Sequence, residues 1–384
     1  MVASETEIPD VEILVQKMRS ADSGAHDPGD SGKHPRPPIP ACILRAMSDQ
    51  RPVWVIFGGS GFVGRHLVSH LVDRGEPLHV VVADIDLSEP FDVPAGGPVE
   101  VSTVHVDIRE PLDPATLPAR VDAVVHLAAI CREPDFPPVD HYAANLDGTR
   151  NVAHWITEVD CPVVLFTSTI AVYGGDRGAI TEATRPVPLT AYGGSKLAAE
   201  QVLRGWQEQR PDRNSLIVLR PGVIFGPREN ANVTRLVRAV VGGYFFYCGN
   251  KQLPKAGVYV DEVSRGIVWM LDEARRAPGV VTTNFCLSTP PVLSDYVRAA
   301  QQVSGRRRPV IDVPYKPFLL LARLVAVLAA IVRINPPIHP RRVEKLVIAN
   351  DVHSTYLVEQ QYPFAYTLQS AFEEWKRAAP AEWA

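Results

Sequence analysis

The chain has 384 residues, 46% of them hydrophobic and 21% charged, with a formal net charge of -4. That is the balance of a soluble globular protein, long enough for one large domain or two modest ones. The mildly acidic charge removes the electrostatic reason to expect a nucleic-acid partner. The cysteines, Cys42, Cys131, Cys161, Cys248 and Cys286, form no C-x-x-C and no pairing with histidine at metal spacing, so free thiols in a reducing, cytoplasmic setting are expected and no metal site is.

Residues 1–50 mix Ser, Asp, Gly and Pro, with Pro35, Pro37, Pro38 and Pro40 close together, and read as a disordered or linker-like extension. No basic segment precedes a continuous apolar run, so the form of a secretory signal is missing. Val11, Leu14, Val15 and Met18 fall at i, i+3, i+4 and i+7 behind Asp10, which allows one short helix, and Met47 offers an alternative start.

From Arg51 the pattern alternates. Strands are predicted at 53–57, 78–82, 101–106, 123–127, 163–166 and 216–219, and helices at 62–73, 141–159, 195–209, 295–303 and 367–377. Continuous apolar strands between helices imply a parallel sheet covered on both faces. The fold class expected is α/β: a Rossmann-type doubly wound sheet over 51–226, followed by a smaller, mostly helical substrate-binding region over 227–384 that interleaves with the last strands.

The first strand–helix junction carries Gly58, Gly59, Gly61 and Gly64 in the sequence GGSGFVG. A tight turn, a pyrophosphate close to the backbone, and a helix packed on the sheet each exclude a Cβ. The helix start at Phe62 and Val63 then offers unpaired N–H groups to phosphates. Asp84, at the end of the second strand, can accept hydrogen bonds from both ribose hydroxyls and would repel a 2′-phosphate, which favours NAD over NADP.

The second constellation is Tyr192-Gly193-Gly194-Ser195-Lys196. Tyrosine and lysine four apart share one helix face. A free phenol has a pKa of about 10, and a nearby ammonium favours its ionised form, so the spacing suits acid/base work near neutrality.

With these motifs in order, the sequence resembles the extended short-chain dehydrogenase/reductase family, also called the NAD-dependent epimerase/dehydratase family. The resemblance covers nearly everything from Arg51 on. It implies cofactor contacts at Gly58, Gly61, Phe62, Val63, Gly64, Asp84, Asp107, Ile108, Leu127, Ala128, Ala129, Asn145, Tyr192, Lys196, Pro221 and Val223. Asp107-Ile108, His126-Leu127-Ala128-Ala129 and Asn145-x-x-Gly148-Thr149 are similar to family segments that line the cofactor. Thr167–Gly174 is similar to the strand carrying the catalytic hydroxyl, which falls on Thr169 with Ser168 beside it. The implied catalytic set is Thr169, Tyr192 and Lys196, working with NAD on a small-molecule substrate in a homodimer.

Two departures narrow the reaction that the resemblance implies. Hexose dehydratases of the family carry Asp-Glu where this chain has Ile170 and Ala171. Many nucleotide-sugar epimerases carry asparagine where it has Val223, and the segment Arg220–Pro227 is also similar to that of hydroxysteroid and flavonol reductases. Three readings stay open: an epimerase or keto-reductase of a nucleotide-linked sugar, a dehydrogenase of an apolar alcohol, and a dinucleotide-binding module without chemistry. The intact Thr169, Tyr192 and Lys196 argue against the third.

The remaining charged groups get plain readings. The scattered histidines are expected to pack or face solvent, Arg306–Arg308 to sit in a solvated loop, and Arg228 to be near enough for a substrate phosphate. The most apolar stretch, Phe318–Val332, is 15 residues interrupted by Arg323, short of the about 20 that span a bilayer. Apolar residues surround this helix, so burial in the core or a pocket wall is expected first, and peripheral membrane contact through 317–333 second.

Overall fold

The computed structural model describes residues 51–132, 135–175, 178–306, 308–331 and 349–383, with backbone alone at 321–322 and 326–331. The expected N-terminal extension, its short helix and Cys42 lie outside the described residues.

The strands are β1 (Val53–Phe57), β2 (Leu78–Asp84), β3 (Val99–His105), β4 (Ala123–His126), β5 (Val163–Thr167), β6 (Ser215–Pro221), β7 (Val223–Phe225), β8 (Phe246–Cys248), β9 (Gly257–Tyr259), β10 (Gly279–Phe285) and β11 (Ile311–Val313). The main helices are α1 (Phe62–Arg74), α2 (Pro138–Tyr142), α3 (Gly148–Glu158), α4 (Ala191–Glu208), α5 (Asn232–Gly242), α6 (Val260–Ala274), α7 (Leu293–Ser304), α8 (Tyr315–Ile331), α9 (Thr355–Glu359) and α10 (Leu368–Ala378).

Seven strands form one sheet in the order β10-β6-β5-β4-β1-β2-β3, every pair parallel. β1 and β5 are almost wholly buried, since helices cover both faces and leave no side for polar alternation. One face packs Ile56, Val80, Val125 and Leu165 under α1 and α6; the other packs Val55, Val124, Phe166 and Val218 under α3 and α4. The strand order reverses between β1 and β4, where open α/β sheets hold ligands at the carboxyl ends.

The seventh strand, β10, comes from beyond Gly226 and pairs with β6 from Gly279↔Ser215 to Phe285↔Pro221. The chain from Arg51 on therefore clusters as one unit. Past Gly226, a separate cluster gathers Phe225, Val237, Tyr259, Tyr296, Phe372, Trp375 and Trp383. Phe225 stands at its centre, with Phe372 at 5.5 Å and Tyr296 at 6.0 Å in edge-on contacts.

The apolar helix α8 departs from expectation. Leu320 is 70% and Leu324 55% exposed. Its attachment runs through Tyr315, Phe318 and Leu319, which pack with Phe246 on buried Cys248. Among the described residues no helix is long and apolar enough to cross a membrane.

Candidate active site

The glycine loop is built by close approach. Gly58 has φ +78°, and a Cβ there would lie 2.5 Å from the backbone nitrogen of Ala128. Gly64 would meet the Gly59 carbonyl oxygen at 2.4 Å. The loop thus lies against the end of β4 on one side and α1 on the other, and Leu127 N donates to Phe57 O at 2.8 Å to fix the two strand ends. Gly61 is the extended residue before α1. The first N–H groups of that helix, at Phe62 and Val63, have no carbonyl one turn back.

Asp84 closes the far side of the loop. Its Oδ2 accepts from Ser60 N at 2.9 Å and its Oδ1 from Asp86 N at 3.2 Å. Each carboxylate oxygen keeps a second lone pair. Arg65 braces the same region by donating to the Ser60, Glu89 and Pro90 carbonyls.

The tyrosine–lysine motif opens α4, which Thr190 caps by accepting from Gly193 N at 3.1 Å. The paired glycines let this first turn come close to its neighbours. A Cβ on Gly193 would lie 2.5 Å from the Ala171 carbonyl oxygen, and one on Gly194 would lie 2.7 Å from the Tyr142 hydroxyl. The approach to Ala171 sets Tyr192 beside the turn that Thr169 begins. Thr169 is extended, and its hydroxyl oxygen accepts from Ala171 N at 3.1 Å. The Tyr192 ring lies 6.1 Å from that of His141.

Lys196 is 1% exposed, and its ammonium has no hydrogen-bond partner among the described residues. It sits 4.1 Å above the Phe166 ring. Burial lowers its pKa from 10.5 to about 7, against the opposing pull of Cys131 and Glu200. A buried donor without an acceptor is costly, so the site is one that a hydroxyl-bearing ligand completes. Together with the glycine cradle, this fits a dinucleotide: the loop and α1 for its phosphates, Asp84 and Lys196 for ribose hydroxyls.

Other expected residues do different work. Asn145 is fully buried. Its Oδ1 accepts from Ile130 N, and its Nδ2 donates to Ile130 O and Ser195 Oγ, each at 2.9 Å. It clamps the segment after β4 to the turn carrying Tyr192. Arg109 engages both oxygens of Asp107 and holds its pKa below the usual carboxylate range. Ile108 is buried and fills the space that Gly148 leaves, where a Cβ would lie 2.7 Å from its Cδ1. Pro221 ends β6 and Val223 opens β7, both close to the carboxyl edge of the sheet. Arg228 pairs with Glu89 at the surface, both side chains more than half exposed. Arg306 and Arg308 sit exposed in a loop, as expected, and from there donate to Val241 O and Gly242 O at the carboxyl end of α5.

Behind the site runs a buried polar chain that sequence reasoning missed. Ser168 donates to Glu200, Glu200 takes two bonds from Arg220, and Arg220 donates to the Tyr173 hydroxyl at 2.8 Å. Tyr173 in turn donates to Asn284 on β10 at 2.8 Å. The available signal was the spacing of Glu200, four residues after Lys196 on the same helix. His126, fully buried with its pKa lowered to about 3 by desolvation and by Lys196, is a neutral packing residue against Thr149. Among the described residues no cluster could hold a metal, and Cys131, Cys161, Cys248 and Cys286 are free thiols.

Comparison with known proteins agrees with this geometry. The family described as the NAD dependent epimerase/dehydratase family matches residues 54–283. N-acetyl-alpha-D-glucosaminyl-diphospho-ditrans,octacis-undecaprenol 4-epimerase of Escherichia coli O157:H7 is 29% identical over 66% of this chain and 76% of its own. The human (Homo sapiens) decarboxylating sterol-4-alpha-carboxylate 3-dehydrogenase is 28% identical over 62% of this chain and 63% of its own. The crystal structure of Thermus thermophilus UDP-glucose 4-epimerase complexed with NAD superposes with a TM-score of 0.61 at 21% identity, covering 84% of this chain and 96% of that one, which establishes the common fold. Its matched profile covers more than half of the sequence, and the chain belongs to the NAD dependent epimerase/dehydratase family of NAD-using enzymes.

Proposed function

We propose that this enzyme epimerises a hydroxyl-bearing carbon of a sugar carried on a diphosphate, with NAD held in the glycine cradle. The observation that carries the reading is the buried ammonium of Lys196, without a hydrogen-bond partner among the described residues, one helical turn from Tyr192. Thr169 holds the substrate oxygen, and Tyr192 takes the proton from that hydroxyl and later returns it. Lys196 steadies the ribose and favours the ionised phenol by its charge. NAD, when held there, would supply a hydride acceptor that is regenerated within one turnover, so inversion of the carbon would balance in atoms and electrons without a second substrate. The diphosphate-sugar class is supported by the undecaprenol-linked relative and by UDP-glucose 4-epimerase among the structural neighbours.

One observation favours a second reading. The sterol dehydrogenase relative covers nearly as much of the chain, and it acts on an alicyclic alcohol. The two readings differ in their balance: epimerisation leaves NAD unchanged, whereas dehydrogenation yields one NADH per product. The test is turnover of UDP-sugars, polyprenyl-diphosphate sugars and sterols by wild type and Tyr192→Phe, following product configuration and NADH absorbance. The expected result is inverted sugar without net NADH, reduced ~10²–10⁴-fold in Tyr192→Phe while NAD still binds. Full activity in Tyr192→Phe would remove the assignment, and stoichiometric NADH from a sterol would transfer it to the second reading.

A further inference from the structure

Helix α8 is held to the fold along one side. The Phe318 ring lies 5.2 Å from Phe246 in edge-on contact, and Tyr315 and Leu319 share the same small cluster. Its other side is open. Lys316, Leu320, Arg323 and Leu324 fall at i, i+4, i+7 and i+8, and all four are exposed. The apolar surface extends beyond the helix. Ile311, paired in register with Phe246, is 65% exposed, and Tyr244, two residues before Phe246, is 68% exposed. Monomeric soluble proteins rarely gather large apolar side chains in this way unless something covers them.

The charge of the region says what covers it. Among the described residues from Arg306 to Ile331, the exposed Arg306, Arg308, Lys316 and Arg323 stand against one acid, Asp312, in a chain whose net charge is -4. Asp312 is itself paired with Lys251 at 3.0 Å. A basic apolar face complements an anionic lipid surface, where leucines enter the acyl boundary and Lys and Arg stems reach back to the phosphates. A second copy of the chain would bring a face of the same sign against it. Among the described residues α8 rises about 26 Å over 17 residues, and no helix is long and apolar enough to cross a membrane.

We propose that α8 lies in the interface of an anionic phospholipid bilayer and docks the enzyme there, with Leu320 and Leu324 inserted and Lys316 at the phosphate layer. This surface is separate from the cofactor cradle, so the proposal stands whichever substrate reading holds. A substrate with a lipid carrier would meet the enzyme at the same interface.

The test is flotation of the full-length protein with vesicles of phosphatidylcholine alone or mixed with phosphatidylglycerol, at low and high salt. Wild type is expected to float with the mixed vesicles about tenfold more than with the neutral ones, and to release at high salt. The double variant Leu320→Glu/Leu324→Glu is expected to lose about tenfold in flotation, and Lys316→Glu to lose the salt-sensitive part. Both side-chain sets are exposed, and thermal melts and gel filtration confirm that the variants fold. Wild type that floats with neither vesicle, or a double variant that floats equally well, overturns the proposal. So does a wild-type dimer that the double variant converts to monomer without any vesicle binding, which would give the face to a second copy.

Discussion

Ser168 donates its hydroxyl to the buried Glu200 carboxylate at 2.5 Å, and that single bond separates the two adjacent hydroxyls at the end of β5. Ser168 belongs to the chain through Glu200 and Arg220 beneath the sheet edge. Thr169, the next residue, is extended and opens the turn that α4 packs against. Successive side chains of extended backbone point to opposite sides, so commitment of Ser168 inward leaves Thr169 on the other side, where its hydroxyl meets Ala171 N.

The two hydroxyls are therefore expected to fail differently. Thr169→Ala should lower kcat by ~10², through loss of a group that meets the reacting oxygen, and cost about 0.5–2 kcal/mol for the lost cap on Ala171 N. Ser168→Ala should leave kcat within a few-fold and lower stability by about 1–3 kcal/mol, because Glu200 loses a buried donor. Paired kinetics and denaturation curves decide, and a catalytic defect in Ser168→Ala with normal Thr169→Ala would reverse the assignment.

Lys196 trades stability for function. Its pKa in the fold is lowered to about 7 from an ordinary 10.5. The cost of keeping the ammonium buried is full below pH 7. It fades as pH rises from 7 to 10.5, where the unfolded chain holds the proton and the folded one does not. Lys196→Met should raise Tm by several degrees at pH 6–7 in the absence of NAD, and the gap should narrow toward pH 10. The same variant should lose activity and bind NAD more weakly. A melting gap that widens with pH would contradict the sign.

The glycine loop should be graded. Gly58→Ala places a Cβ 2.5 Å from backbone at a φ of +78°, so it should cost about 1–3 kcal/mol and weaken NAD. Gly61→Ala meets its nearest atom, the Gly58 carbonyl oxygen, at 3.2 Å and should be milder in stability. Chemical denaturation of both variants gives the order, and equal stability of Gly58→Ala and wild type would show that the turn relaxes.

Asp84 should set the cofactor. Its oxygens hold Ser60 N and Asp86 N and retain lone pairs for ribose hydroxyls. Asp84→Ser should weaken NAD about tenfold or more and improve NADP relative to NAD, since it removes both acceptors and the repulsion of a 2′-phosphate. Calorimetry with the two dinucleotides reads this directly, and tighter wild-type binding of NADP would send Asp84 to a purely structural role.

The sequence by itself determined the layered sheet, the close approaches of its glycine loop and the shared helix face of Tyr192 and Lys196. Continuous apolar runs encode strands buried on both faces. Glycines at fixed spacing encode approaches that a Cβ forbids, and a four-residue step puts Tyr192 and Lys196 on one helix face. These are local geometric rules, and each can be read within about a dozen residues. Only the tertiary structure decided which groups meet across long separations. Arg228 finds Glu89, 139 residues away, in an ion pair that no local rule predicts. Asn145 reaches Ser195, 50 residues away, and becomes a clamp. In α8 the sequence shows apolar residues all around but not what covers them. That depends on which side Phe246 occupies, and Leu320 and Leu324 are left facing out because the rest of the fold packs on the other side.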